Sequence, residues 1–194
     1  VDNGMKKITI EDIRKSLYDA NLDTEYREAL ANVMLQLGYV DDSPLNLYFG
    51  SKESRKKLEE VETKSLTADE LSEIIHMMMY KMRDDFQYVA FKPIAMKYIE
   101  IVDEMRKENT VDLKNIENNK IKKPQCKIDT PIMFEIIGEV SKILKQNNMN
   151  KEAIQMIEKA TLSYDYDEAF NIIKNYVEVI EEKEEIKYEE DEFE

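Results

Sequence analysis

The sequence predicts an all-α protein, and three observations predict it. Chain-breaking residues are scarce, with four glycines and four prolines in 194 residues, which favours long helices over a strand-and-turn fold. Apolar residues recur at three- and four-residue spacing through most of the chain, the period of a helix with one buried face. Serine, threonine or aspartate stands just before several such runs, often with an acid three residues later, which is the pattern of a helix N-cap. The expected architecture is a helical bundle core followed by a smaller C-terminal helical hairpin unit and an acidic tail. The boundaries expected are an N-terminal helical core over 5–107, a polar linker or exposed loop over 108–128, a C-terminal helical unit over 129–182 and the acidic tail over 183–194.

The longest apolar-periodic run, Thr67 to Met105, is expected to be the central helical pair. Thr67 and Glu70 form a capping box, in which the threonine hydroxyl accepts from a first-turn N–H and the glutamate reaches back to the Thr67 N–H. Leu71, Ile74, Ile75, Met78 and Met82 share a face, and Met77 and Met79 widen it. Six of the eleven methionines lie in this run, and a core stripe is a commoner use of such a pattern than a partner groove. Phe86, Val89 and Phe91 continue the apolar run. Pro93 either starts a second helix or kinks a long one, and Ile94, Tyr98, Ile101, Val102 and Met105 carry a fresh stripe beyond it.

In chain order, Thr9 caps a helix from Ile10 to Ala20, with Asp12 at its third position. Asp23 caps a second helix bearing Tyr26, Ala29, Leu30, Val33, Met34 and Leu37, ended by Gly38 in the left-handed region. Residues 40–50 are expected to be a loop pinned to the core by Leu45, Leu47, Tyr48 and Phe49. Ser51 caps a polar helix through Val61. Thr130 and Pro131 open a helix with Pro131 at its first position, Asn150 caps the next, and Asp165 caps a last one running to Ile180. Ile154, Ile157, Glu158, Lys159 and Ala160, followed by Asp167, Glu168, Ala169 and Phe170, resemble one helical hairpin of the tetratricopeptide type. No second copy follows one repeat length away, and a solenoid needs about three.

The formal net charge is −14, unevenly spread. From Glu181 to Glu194 nine acids stand against Lys183 and Lys187, leaving −7, half of the total in the last fourteen residues. The chain as a whole repels phosphate, so direct nucleic-acid binding is not expected. No apolar run approaches membrane-spanning length, and no apolar signal core follows Val1 to Lys7. A lone Cys126 forms no internal disulfide, which points to a reducing, cytoplasmic setting. Lys123 and Lys127 flank it and are of the sign that lowers a thiol pKa.

Phosphate-cradling glycine loops are absent. His76 and Cys126 are too few for a zinc site. Two acidic pairs remain, Glu70-x-x-Glu73 and Glu100-x-x-Asp103. They resemble the paired motifs of the all-α nucleotide pyrophosphatases, the MazG-like family. That resemblance implies that the four carboxylates hold Mg²⁺, which activates water against a nucleoside triphosphate. Whether they converge depends on where the chain reverses. A turn at Asp84-Asp85 sets Glu70 opposite Glu100. A turn at Lys92-Pro93 separates them by two helical turns, about 11 Å, and Pro93 is the stronger breaker.

The reading favoured by the sequence is a non-enzymatic interaction or regulatory module with no cofactor. Its tail, with Tyr188 and Phe193 set among Glu189, Glu190 and Asp191, is expected to bind a basic, partly apolar protein surface. The size and the scarcity of motifs fit an accessory protein of a phage or mobile element. The Mg²⁺-dependent pyrophosphatase is the alternative.

Overall fold

The computed structural model describes residues 7–108 and 122–180. Among the described residues there are nine helices and one pair of short strands: α1 Ile10–Asp19, α2 Thr24–Gln36, α3 Pro44–Phe49, α4 Lys52–Thr63, α5 Ala68–Met82, α6 Tyr88–Glu108, β1 Gln125–Lys127, α7 Met133–Gln146, α8 Asn150–Thr161, α9 Tyr166–Lys174 and β2 Glu178–Ile180. The all-α class expected from spacing and capping is the observed one. The tail lies outside the described residues, including Glu181 and everything after it.

The caps read from sequence form as expected where the signal is local. Thr9 and Asp12 close a reciprocal capping box on α1, and Thr67 and Glu70 close one on α5. Asp23 accepts from the Glu25 N–H, Ser51 from Ser54 and Asp165 from Glu168. Gly38 ends α2 with φ of +82°, a conformation that costs an L side chain strain. Two starts differ. Helix α7 begins at Met133, not at Pro131, because the Thr130 hydroxyl first turns the chain by accepting from the Ile132 N–H. Asn150 is the first residue of α8 and does not cap it.

Helix α5 is the centre of the molecule. It packs against α2, α6, α7 and α8. Every residue from Leu71 to Met78 is buried, so this helix is covered on all sides in its middle turns. Met77 and Met78 are fully buried, and Met82 nearly so, which makes the methionine stripe core. Each such side chain contributes roughly 1.5–3 kcal/mol by leaving water. Buried residues from Ile8 to Val177 join in one apolar cluster, so the helices after the 109–121 segment share a core with those before it. Gly138 allows α7 to press against the end of α2, since a Cβ there would stand 3.0 Å from the Gln36 carbonyl oxygen.

The chain reverses between α5 and α6 at residues 83–87, and Pro93 lies inside α6. Proline breaks a helix by removing one hydrogen bond and crowding the carbonyl four residues back. Here that carbonyl belongs to Val89, and Val89 and Pro93 are both exposed, so the lost donor costs less than it would in a buried turn. The reversal is held from a distance: the Tyr26 hydroxyl donates to Asp85 Oδ1 at 2.9 Å, and the Gln87 N–H donates to the same oxygen at 2.8 Å.

Three further expectations are corrected. Residues 44–49 are not a loop but helix α3, capped by Ser43 with Pro44 in its first turn. Phe86 and Val89 are strongly exposed at the α5–α6 reversal instead of buried. The last helix stops at Lys174, and 178–180 is a strand paired in parallel with 125–127, with Gln125 opposite Glu178 and Lys127 opposite Ile180. Val177 and Cys126 are both buried, so the strand pair seals the end of the core that a helix run on to Ile180 would leave open.

Ser141 on α7 is fully buried, and its hydroxyl finds no hydrogen-bond partner among the described residues. An unmet buried hydroxyl is costly, and alanine is the better helix former. Ser141→Ala is therefore expected to leave stability unchanged or raise it by about 1 kcal/mol. A clear loss in urea denaturation would show that the hydroxyl is satisfied.

Candidate functional site

The four carboxylates expected to hold Mg²⁺ are placed as follows. Glu70 reaches back to the Thr67 N–H at 3.0 Å and serves as the capping acid of α5. Glu73, one turn later, points into the core and is 1% exposed. Glu100 and Asp103 are exposed on α6. The reversal falls near Asp84-Asp85, the turn that favours their approach. Even so, no three His, Cys, Asp or Glu side chains among the described residues stand together as a metal-binding group.

Glu73 is engaged by two residues from other elements. Lys145 on α7 donates to its two oxygens at 3.0 and 2.8 Å, and the Tyr39 hydroxyl beyond α2 donates to Oε1. Burial pushes the Glu73 carboxyl up, against the pull of Lys145 and the Tyr39 bond. Burial likewise pushes the Tyr39 phenol up, with the adjacent Glu73 charge adding to it. Around this pair lies a cleft of about 480 Å³, bordered by Gly38, Tyr39, Asp69, Glu70, Asn150 and Ile154 among others. Its acids already have partners: Glu70 the capping N–H, Asp69 the Arg106 guanidinium at 2.9 Å, Glu73 its lysine and tyrosine.

A second polar network adjoins the first along α5, with Arg106 reaching Asp69 at the cleft's edge. Ser72 Oγ donates to Glu158 Oε1 on α8 at 2.6 Å, and Arg106 on α6 donates to the same oxygen at 2.7 Å. His76 Nδ1 donates to the Ser72 carbonyl at 2.8 Å. Burial alone would raise the Glu158 carboxyl, but the bonds from Ser72 and Arg106 outweigh it and hold the carboxyl below its ordinary value. This stabilisation is present above the ordinary carboxylate range and fades as pH falls through the lowered folded-state value. Arg106 thus ties three helices together at their polar edges.

Cys126 is buried in β1. Burial raises its thiol pKa, with Glu139 and Asp129 adding to the shift. The lowering expected from Lys123 and Lys127 does not occur, which is the setting of an inert thiol.

The outward surfaces carry features the sequence reading missed. Leu45, Tyr48 and Phe49 on α3 are 66%, 60% and 76% exposed. They wall a groove of about 440 Å³ floored by Leu30, Met34 and Leu58 and edged by Arg14, Arg27, Glu28 and Glu62. Ser43-Pro44 is a helix-start signal that could have revealed α3, but six residues are too few to show which side faces in. Beside β2 lies a second groove, of about 460 Å³, lined by Lys122, Lys123, Lys174, Val177, Glu178 and Val179. The residues expected to bind a partner, Tyr188, Glu189, Glu190, Asp191 and Phe193, lie outside the described residues, downstream of this second groove.

Fold and surfaces together describe a helical bundle whose buried charges are locked in structural networks. No family model matches the chain, and no curated protein or solved structure matches it significantly. No helix among the described residues is long and apolar enough to cross a membrane.

Proposed function

We propose that this chain is a non-enzymatic protein-interaction module whose acidic tail binds a basic, partly apolar surface on a partner protein. The observation that carries this reading is the charge distribution, with half of the net charge in fourteen residues interleaved with Ile186, Tyr188 and Phe193. Dense like charge gives fast, salt-sensitive attraction to a basic surface, and the aromatic residues add apolar contact that charge alone does not supply. The body supports the reading by what its acids are already doing. Glu73, Asp69, Glu70 and Glu158 are committed to lysine, arginine, hydroxyl or backbone partners. The pyrophosphatase alternative would require Glu73 to leave Lys145 and Tyr39 and meet exposed Glu100 and Asp103. Mg²⁺-dependent pyrophosphate release that is lost in Glu73→Gln and in Glu100→Gln would reinstate it.

The test uses a fluorescent lysine-rich amphipathic peptide as the probe and the full chain as the receptor. The combined variant Glu189→Gln, Glu190→Gln, Asp191→Asn and Glu192→Gln is expected to weaken binding at low salt by about tenfold or more. Tyr188→Ala with Phe193→Ala should leave the salt dependence intact while lowering affinity at moderate salt. Unchanged binding in both variants would remove the tail as the binding element, and the α2–α3–α4 groove would take its place.

A further inference from the structure

We infer that the groove lined by Lys122, Lys123 and Lys174 is a docking site for the chain's own acidic tail, so that the tail meets a partner only in competition with its own body. This rests on the tail being the partner-binding element, and it adds the regulation of that element. Three observations converge on the groove. It is lined by three exposed lysines, with Glu178 the carboxylate among its six lining residues. None of the three lysines is ion-paired with a carboxylate among the described residues. Lys123 Nζ donates to the Lys174 carbonyl at 3.2 Å, and Lys174 Nζ lies 4.9 Å from the centre of the Phe170 ring. Those contacts orient the ammonium groups without neutralising them. Val177 and Val179 supply an apolar floor, which suits the apolar residues set among the tail's acids.

Connectivity puts the tail within reach. Because β1 and β2 run parallel, Glu178 lies at the end of the pair where Lys122 and Lys123 enter, and Ile180 lies at the other end, beside Lys127. The two residues from Glu178 to Ile180 span only about 7 Å. Fourteen residues follow Ile180, with a reach of up to roughly 46 Å at full extension. A simple reversal returns the acids to the lysines. A segment tethered this closely faces its site at an effective concentration in the millimolar range, so weak charge pairing is enough to hold it. A basic partner must then displace the lysines, and its apparent affinity falls by the fraction of tails that are free.

Zero-length carbodiimide coupling on the dilute full chain tests the contact, since it joins a lysine only to a carboxylate in direct contact. The expected result is monomeric product with Lys122, Lys123 or Lys174 joined to carboxylates in 184–194, disappearing at high salt. Coupling of tail acids mainly to lysines elsewhere, or only between two molecules, would overturn the inference. The second measurement is probe affinity in the full chain carrying Lys122→Gln, Lys123→Gln and Lys174→Gln, with its melting curve recorded to establish folding. Removing the internal competitor should tighten binding of the cationic peptide by about three- to tenfold at low salt. Equal or weaker binding by a folded variant would overturn it. The two proposals fail separately. Internal coupling without any probe binding would sink the interaction function, whereas probe binding without internal coupling would sink only the self-competition.

Discussion

Replacing Lys145 with methionine is expected to lower stability by about 3–5 kcal/mol at neutral pH, because it leaves a buried carboxylate without its counter-charge. Glu73 is almost wholly enclosed, while Lys145 keeps part of its surface in water. The two partners are therefore unequal, and losing the lysine costs more than its exposure suggests. Methionine keeps much of the lysine stem and its packing, so the effect reports on charge. Its signature is pH dependence. Burial already raises the Glu73 carboxyl against the lowering pull of Lys145. Without Lys145 the folded-state value rises further. Between the unfolded-state and folded-state values the folded chain holds a proton that the unfolded chain has released, so stability falls as pH rises through that window. Below the window Glu73 is neutral in both states, and the penalty shrinks to that of lost hydrogen bonds. Urea denaturation below the ordinary carboxylate range and at neutral pH should give a small difference from the parent at the first and a large one at the second. Equal penalties would mean that Glu73 is not the group left uncompensated.

Phe91→Ala is expected to cost a similar amount, about 3–5 kcal/mol, with no dependence on pH. Phe91 is fully buried, and its ring centre lies 5.4 Å from that of Tyr26 and 6.1 Å from that of Tyr88. Removing it opens a cavity where α6 meets α2, beside the Tyr26–Asp85 bond that holds the α5–α6 reversal. The comparison is with Val89→Ala two residues earlier, where the side chain is exposed and the change should fall within about 0.5 kcal/mol. A Phe91→Ala variant as stable as Val89→Ala would mean that Phe91 is not enclosed between α2 and α6.

What a sequence reveals depends on how far apart in the chain the deciding groups lie. Thr9 with Asp12 and Thr67 with Glu70 act across three residues, so their capping boxes are legible from spacing alone, as is the stripe that buries α5. The same is true of Asp23, Ser51 and Asp165 as caps, and of Gly38 as a helix end. The distribution of charge is also a property of the sequence itself, and the tail's excess of acids needs no structure to be seen.

The tertiary structure decided everything that depends on a partner from elsewhere in the chain. Glu73 reads as one acid in an acidic helix, and its ion pair with Lys145 seventy-two residues away turns it inward. Pro93 reads as a breaker, but Tyr26 holds Asp85 and turns the chain earlier, leaving the proline on a wet face where its missing N–H costs little. The apolar residues of α3 read as anchors, yet Leu47 alone of the four packs against the core, while Leu45, Tyr48 and Phe49 stand at the surface. The parallel pairing of 125–127 with 178–180 needs two segments to meet across some fifty residues. Each three-residue strand is too short to carry a period of its own, and only the packing around Cys126 and Val177 makes them strands.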